Sequence, residues 1–106
     1  MDTLEITYLD GERGLRLAGE LDMQTAPRLE EALAGMQGGG QPRLDLSQLT
    51  FIDSSGLRAI TAFARAENGH GRLILDGVSE MMFRIFEVTD LTEHPGLEVR
   101  LRTDGD

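Results

Sequence analysis

The stretch from Arg43 to Ala66, RLDLSQLTFIDSSGLRAITAFARA, constrains the fold more than any other part of the chain. Leu44 and Leu46 alternate with Arg43, Asp45 and Ser47, the period-2 pattern of a short strand with one apolar edge on a core. After a loop over 47–53, Leu57, Ile60, Phe63 and Ala64 recur at helical spacing with no proline between them, which predicts an amphipathic helix. Between the two lies Asp53-Ser54-Ser55-Gly56, small and polar residues that suit a helix start, where backbone amides lack partners. Two readings of the serine pair stand at this point. Ser54 or Ser55 is an N-cap, or a hydroxyl is displayed where free amides and the helix dipole tolerate an added phosphate.

Upstream, Leu4, Ile6 and Tyr8 alternate with polar neighbours, Asp10-Gly11 marks a turn, and Leu15 and Leu17 resume the pattern, as in a hairpin. The second strand ends around Gly19 and delivers the acidic pair Glu20 and Asp22. Thr25 then reads as the N-cap of a helix with Pro27 in its first turn, Ala26, Leu29, Leu33 and Met36 inward, and Arg28, Glu30 and Glu31 toward water. Gly35 and Gly38-Gly39-Gly40 end it. This triplet follows a helix and precedes a strand, the reverse of a phosphate-cradling loop, and reads as a flexible connection.

Downstream, 67–71 (ENGHG) stops the central helix, and Leu73-Ile74-Leu75 is a continuous apolar run that suits a strand covered on both faces. Ser79 caps a short helix patterned on Val78, Met82, Ile85 and Phe86, with Met81 and Met82 both assigned to packing. Leu97, Val99 and Leu101 alternate with charged residues as in an edge strand, and the tail over 103–106 is loose. The order β-β-α-β-α-β-α-β predicts one α/β domain over residues 1–106 with a largely parallel sheet. Sites in such sheets lie beyond the carboxyl ends of the strands, so Asp22 and the Asp53-Ser54 loop are expected on one rim.

Several kinds of chemistry are disfavoured. The chain has 10 basic residues, every one an arginine, against 19 acidic ones, for a net charge of −9. That balance opposes binding to the nucleic-acid backbone or to an anionic membrane surface. There is no cysteine, which removes disulfides, thiolate zinc sites and thiol catalysis. Neither serine has the glycines of a Gly-x-Ser-x-Gly elbow. His70 and His94 lie in turn-like segments, are expected to face solvent and have no triad or metal-site partners. A receiver-type phospho-acceptor role for Asp53 would want a lysine, and the chain has none. No catalytic residue, metal or cofactor is therefore expected. The absence of a long apolar run and of a signal-like N-terminus suggests a cytoplasmic protein, with a monomer as the default state.

Three segments in register, LAGELDMQTAPRLEEAL, LDLSQLTFIDSSGLRAI and VSEMMFRIFEVTDL, together resemble the STAS domains of bacterial anti-sigma factor antagonists. The resemblance spans nearly the whole chain, and its most specific part is Gly-Glu-Leu-Asp combined with Asp-Ser-Ser-Gly-Leu at a helix start. It implies a partner switch in which the unphosphorylated antagonist binds an anti-sigma factor that is itself a serine kinase, and so frees a sigma factor. By the same resemblance Ser54 is the phospho-acceptor, Asp22 and Asp53 lie in the kinase-contacting rim, Ser55 and Gly56 complete the loop, and a PP2C-type phosphatase resets the switch. STAS domains also serve as constitutive regulatory subunits of transporters or lipid-trafficking ATPases, or as scaffolds of stress complexes, and these are the alternatives.

Overall fold

In the computed structural model, which describes residues 3–36, 40–66 and 72–102, the alternating segments form one five-stranded sheet in the order β1-β2-β3-β4-β5. The strands are β1 (Leu4–Tyr8), β2 (Gly14–Leu21), β3 (Arg43–Ile52), β4 (Leu73–Val78) and β5 (Leu97–Leu101). Helices α1 (Ala26–Ala34), α2 (Ser54–Ala66) and α3 (Glu80–Val88) follow β2, β3 and β4, and a 3-10 turn (Leu91–Glu93) precedes β5. β1 pairs with β2 antiparallel and the remaining neighbours pair parallel. This is the mixed α/β arrangement and the element order that the sequence predicts. The connection at Gly38 and Gly39, the helix stop over 67–71 with His70, and the tail over 103–106 lie outside the described residues.

The central strand is longer than its alternation suggests. The segment 47–52, expected to be a loop, continues β3 to Ile52. Two register shifts explain why the pattern hides it: Arg16 and Ala18 face Asp45 and Gln48, and Gly19 and Glu20 face Leu49 and Phe51. At each shift β3 carries one residue more than β2, the signature of a β-bulge. Its inward residues therefore fall at Leu44, Leu46, Leu49 and Ile52 instead of every second position. The first bulge is pinned by the Asp45 carboxylate, whose Oδ1 accepts from the Ser47 amide at 3.0 Å and from its hydroxyl at 2.7 Å. On the neighbouring strand β4 Gly77, at φ 67°, leaves room for Ser47, whose Cβ would lie 2.9 Å from a Cβ placed there.

All three helices bury their apolar faces in one cluster with Leu15, Leu17 and Leu21 of β2, Leu44 to Ile52 of β3, and Leu73, Leu75 and Val78 of β4. Val78 is thus the last residue of β4 and not part of α3. The opposite sheet face carries ion pairs instead of a helix: Arg16 with Asp45 at 3.0 Å, Arg43 with Glu12 at 2.6 Å and Asp76 at 3.3 Å, and Arg100 with Glu98 at 2.6 Å. Ile74 is buried but outside the core cluster, in register between Arg43 and Glu98.

Other local expectations divide in the same way. Ser79 caps α3, its hydroxyl accepting from the Met82 amide at 3.2 Å, but Met81 is 71% exposed while Met82 packs. Successive helical residues point about 100° apart, and the narrow buried stripe of α3, Met82 and Phe86, leaves Met81 outside it. His94 is half-buried, with Nδ1 accepting from the Gly96 amide at 2.9 Å, and shapes the turn into β5. Arg28 is also half-buried and donates to the Leu4 carbonyl at 2.6 Å, tying α1 to β1.

Candidate functional site at the carboxyl rim

The four parallel strands end on the same side of the molecule, and β2 and β3 end side by side. Leu21 is in register with Ile52, and the Asp53 amide donates to the Leu21 carbonyl at 3.1 Å. Asp22 and Asp53, each the next residue after its strand, therefore stand on adjoining strand ends.

Each aspartate organises the turn that follows it. Asp53 Oδ1 accepts from the amides of Ser55 at 2.9 Å and Gly56 at 3.1 Å, and its carbonyl accepts from Leu57 at 3.0 Å. Asp53 is thus the N-cap of α2, a role that satisfies two of the orphan amides of the first turn. Neither serine is the cap. Ser54 is the first helical residue, exposed, and its hydroxyl makes no hydrogen bond among the described residues, whereas Ser55 is half-buried.

Asp22 does the same work before α1. Its Oδ1 accepts from the amides of Gln24 at 3.0 Å and Thr25 at 3.1 Å, and its carbonyl accepts from Ala26 at 2.8 Å. Thr25, which its position suggests as the cap, makes no side-chain cap bond and has helical backbone angles. Its buried hydroxyl turns back instead, donating to the Glu20 carbonyl at 2.9 Å and accepting from the Asp22 amide at 2.9 Å. The reason is burial: a hydroxyl at the strand end must pair with whatever backbone is there.

Gly56 lies beneath the rim. A Cβ at that position would sit 2.7 Å from Leu21 Cγ and 3.0 Å from Ile52 Cγ1, so the missing side chain lets α2 close onto the ends of β2 and β3. The structure therefore brings Asp22, Asp53 and Ser54 together at the surface, with Ser55 and Gly56 progressively below. Two exposed apolar residues of the same rim escape a reading based on polar motifs: Met23, 73% exposed, and Phe51, 49% exposed. Among the described residues no group of three or more acidic or histidine side chains is placed to hold a metal ion. No described helix is long and apolar enough to cross a membrane.

A single mixed sheet, with its first strand pair antiparallel, the rest parallel and helices packed on one face, is the fold of a known family. A family model described as "Mlab, STAS domain" matches residues 7–102, and the chain belongs to the STAS-domain family. Within it, the chain is similar to anti-sigma-B factor antagonists. It is 39% identical over 80 residues to that of Listeria monocytogenes, covering 73% of this chain and 70% of the relative. It is 33% identical over 93 residues to that of Staphylococcus aureus, covering 85% and 86%. An anti-sigma factor antagonist from Mycobacterium paratuberculosis superposes with a TM-score of 0.75 at 25% identity, over 96% of this chain and 86% of that one. The chain is thus a STAS-domain protein of the anti-sigma factor antagonist type.

Proposed function

We propose that this protein binds an anti-sigma factor that is itself a serine kinase, that the complex frees a sigma factor, and that phosphorylation of Ser54 breaks it. The observation that carries this reading is the division of labour at the rim. Asp53 caps α2, and the Ser54 hydroxyl, directly after it, is left exposed and without a hydrogen-bond partner among the described residues. A phosphate there adds about −1.5 to −2 charges beside Asp53 and Asp22, inside the contact surface. Repulsion and desolvation then oppose binding, and a coupling of about 1–3 kcal/mol changes affinity roughly 5- to 150-fold. ATP supplies the phosphoryl group through the kinase, and a PP2C-type phosphatase removes it. The protein performs no catalysis of its own and works as a cytoplasmic monomer between partners.

The test is to incubate the chain with a kinase-type anti-sigma factor from the same genome and ATP, then locate the phosphate by peptide mass spectrometry and measure binding before and after. One phosphate, on Ser54, with weakened binding is expected. A Ser54→Ala form that binds no such kinase in any nucleotide state overturns the reading. A second reading is a constitutively docked regulatory subunit. It is favoured by the description of the matching family model, which is not that of an antagonist. An unmodified Ser54 in protein from its own cells, together with co-purification of membrane ATPase subunits, would establish it.

A further inference from the structure

Phe51 is exposed because of the second bulge in β3. Leu49 points into the core, and in an unbroken strand the residue two further on shares its face. The bulge, where Gly19 and Glu20 face Leu49 and Phe51, inserts Thr50 and reverses the alternation, so that Ile52 is buried and Phe51 is not. The Thr50 hydroxyl fixes this arrangement by donating to the Gly19 carbonyl at 2.9 Å. Bulges beside functional sites commonly re-aim a side chain. Here an aromatic is turned outward two residues before Asp53, beside Glu20 in the sheet register. On the adjoining strand end Met23 follows Asp22 directly and is the most exposed apolar side chain of the rim.

We propose that Phe51 and Met23 are the apolar anchors of the docking surface around Ser54, received by an apolar socket that basic side chains surround. The acidic groups interleaved with them, Glu20, Asp22 and Asp53, select that occupant by charge complementarity. Large apolar anchors at the centre of an interface carry most of its affinity, and surrounding charges set orientation and encounter rate. Ser54 then acts as the position at which an anchored complex is released. This inference rests on the partner switch proposed above and names what holds the partner.

The experiment measures binding of the kinase-type anti-sigma factor, with ADP and with ATP, to wild type, Phe51→Ala, Met23→Ala and Val88→Ala. Val88 is an equally apolar control on α3, 83% exposed and away from the rim. Phe51→Ala is expected to weaken binding by about tenfold or more, and Met23→Ala severalfold. Val88→Ala should bind like wild type, and Phe51→Leu should recover most of the loss. Unchanged urea midpoints show that the variants fold. Wild-type affinity in both rim variants, or a loss confined to Val88→Ala, overturns the anchors and leaves the switch standing. Failure of the wild type itself to bind in either nucleotide state overturns the switch.

Discussion

The amide of Asp53 donates to the carbonyl of Leu21 at 3.1 Å, one ladder bond beyond the last paired residues of β2 and β3. This bond brings the start of α2 against the turn that leads into α1. Asp22 and Asp53 then act as matching caps, each through Oδ1 alone, and the rim is built from local backbone geometry.

Asp53 and Ser54 are adjacent, yet their substitution should have very different effects. Asp53→Ala removes the acceptor of two helix-start amides and should cost about 0.5–2 kcal/mol of stability. Ser54→Ala removes an exposed hydroxyl without a partner among the described residues and should change stability by no more than about 0.5 kcal/mol. Urea denaturation of the two variants against wild type measures the difference. Equal losses would show that Ser54 bears structural load.

Gly56→Ala should destabilise the fold by about 1–3 kcal/mol, because the added methyl would meet Leu21 and Ile52 at the top of the core. Leu21 Cγ at 2.7 Å and Ile52 Cγ1 at 3.0 Å would both have to give way. A lowered thermal midpoint is the expected readout, together with amide shift changes concentrated at the ends of β2 and β3. An unperturbed midpoint would show that the rim is looser than its contacts imply.

Acid should weaken the sheet through Asp45. Partial burial alone would raise its carboxyl, but the hydrogen bonds from the Ser47 hydroxyl and amide, with the bond and charge of Arg16, outweigh burial and hold it below the ordinary aspartate value. A carboxyl lowered on folding contributes stability that is complete above its unfolded value, near 3.9, and is lost as pH falls through the lower folded value. The gap in urea midpoint between wild type and Asp45→Asn should therefore stay constant near neutrality and narrow on acidification below about pH 4. A gap independent of pH would remove Asp45 from the acid response.

The hairpin, the three helices and the edge strand were legible because each rests on a local pattern. Leu4, Ile6 and Tyr8 against Leu15 and Leu17 is one such case, and the Ser79 cap is another. The second half of β3 was not, because two bulges replaced the period of two with spacings of three between Leu46, Leu49 and Ile52. Thr25 looks like a cap in sequence, and only the buried strand end beside it explains why Asp22 takes that role. Asp22, Asp53 and Ser54 could be placed on one rim from topology alone, since parallel strands joined by helices end together. Phe51 and Met23 could not, because exposure of an apolar side chain depends on tertiary surroundings that no local pattern records.

That capping falls to Asp53, and not to Ser54, bears on how such a chain can change over generations. Mutations that are nearly neutral for folding are the ones selection can sample freely. With helix initiation secured one residue earlier, the first position of α2 is open to serine, threonine or alanine without loss of the fold. A lineage can thereby gain or discard an exposed hydroxyl at that position by a single substitution.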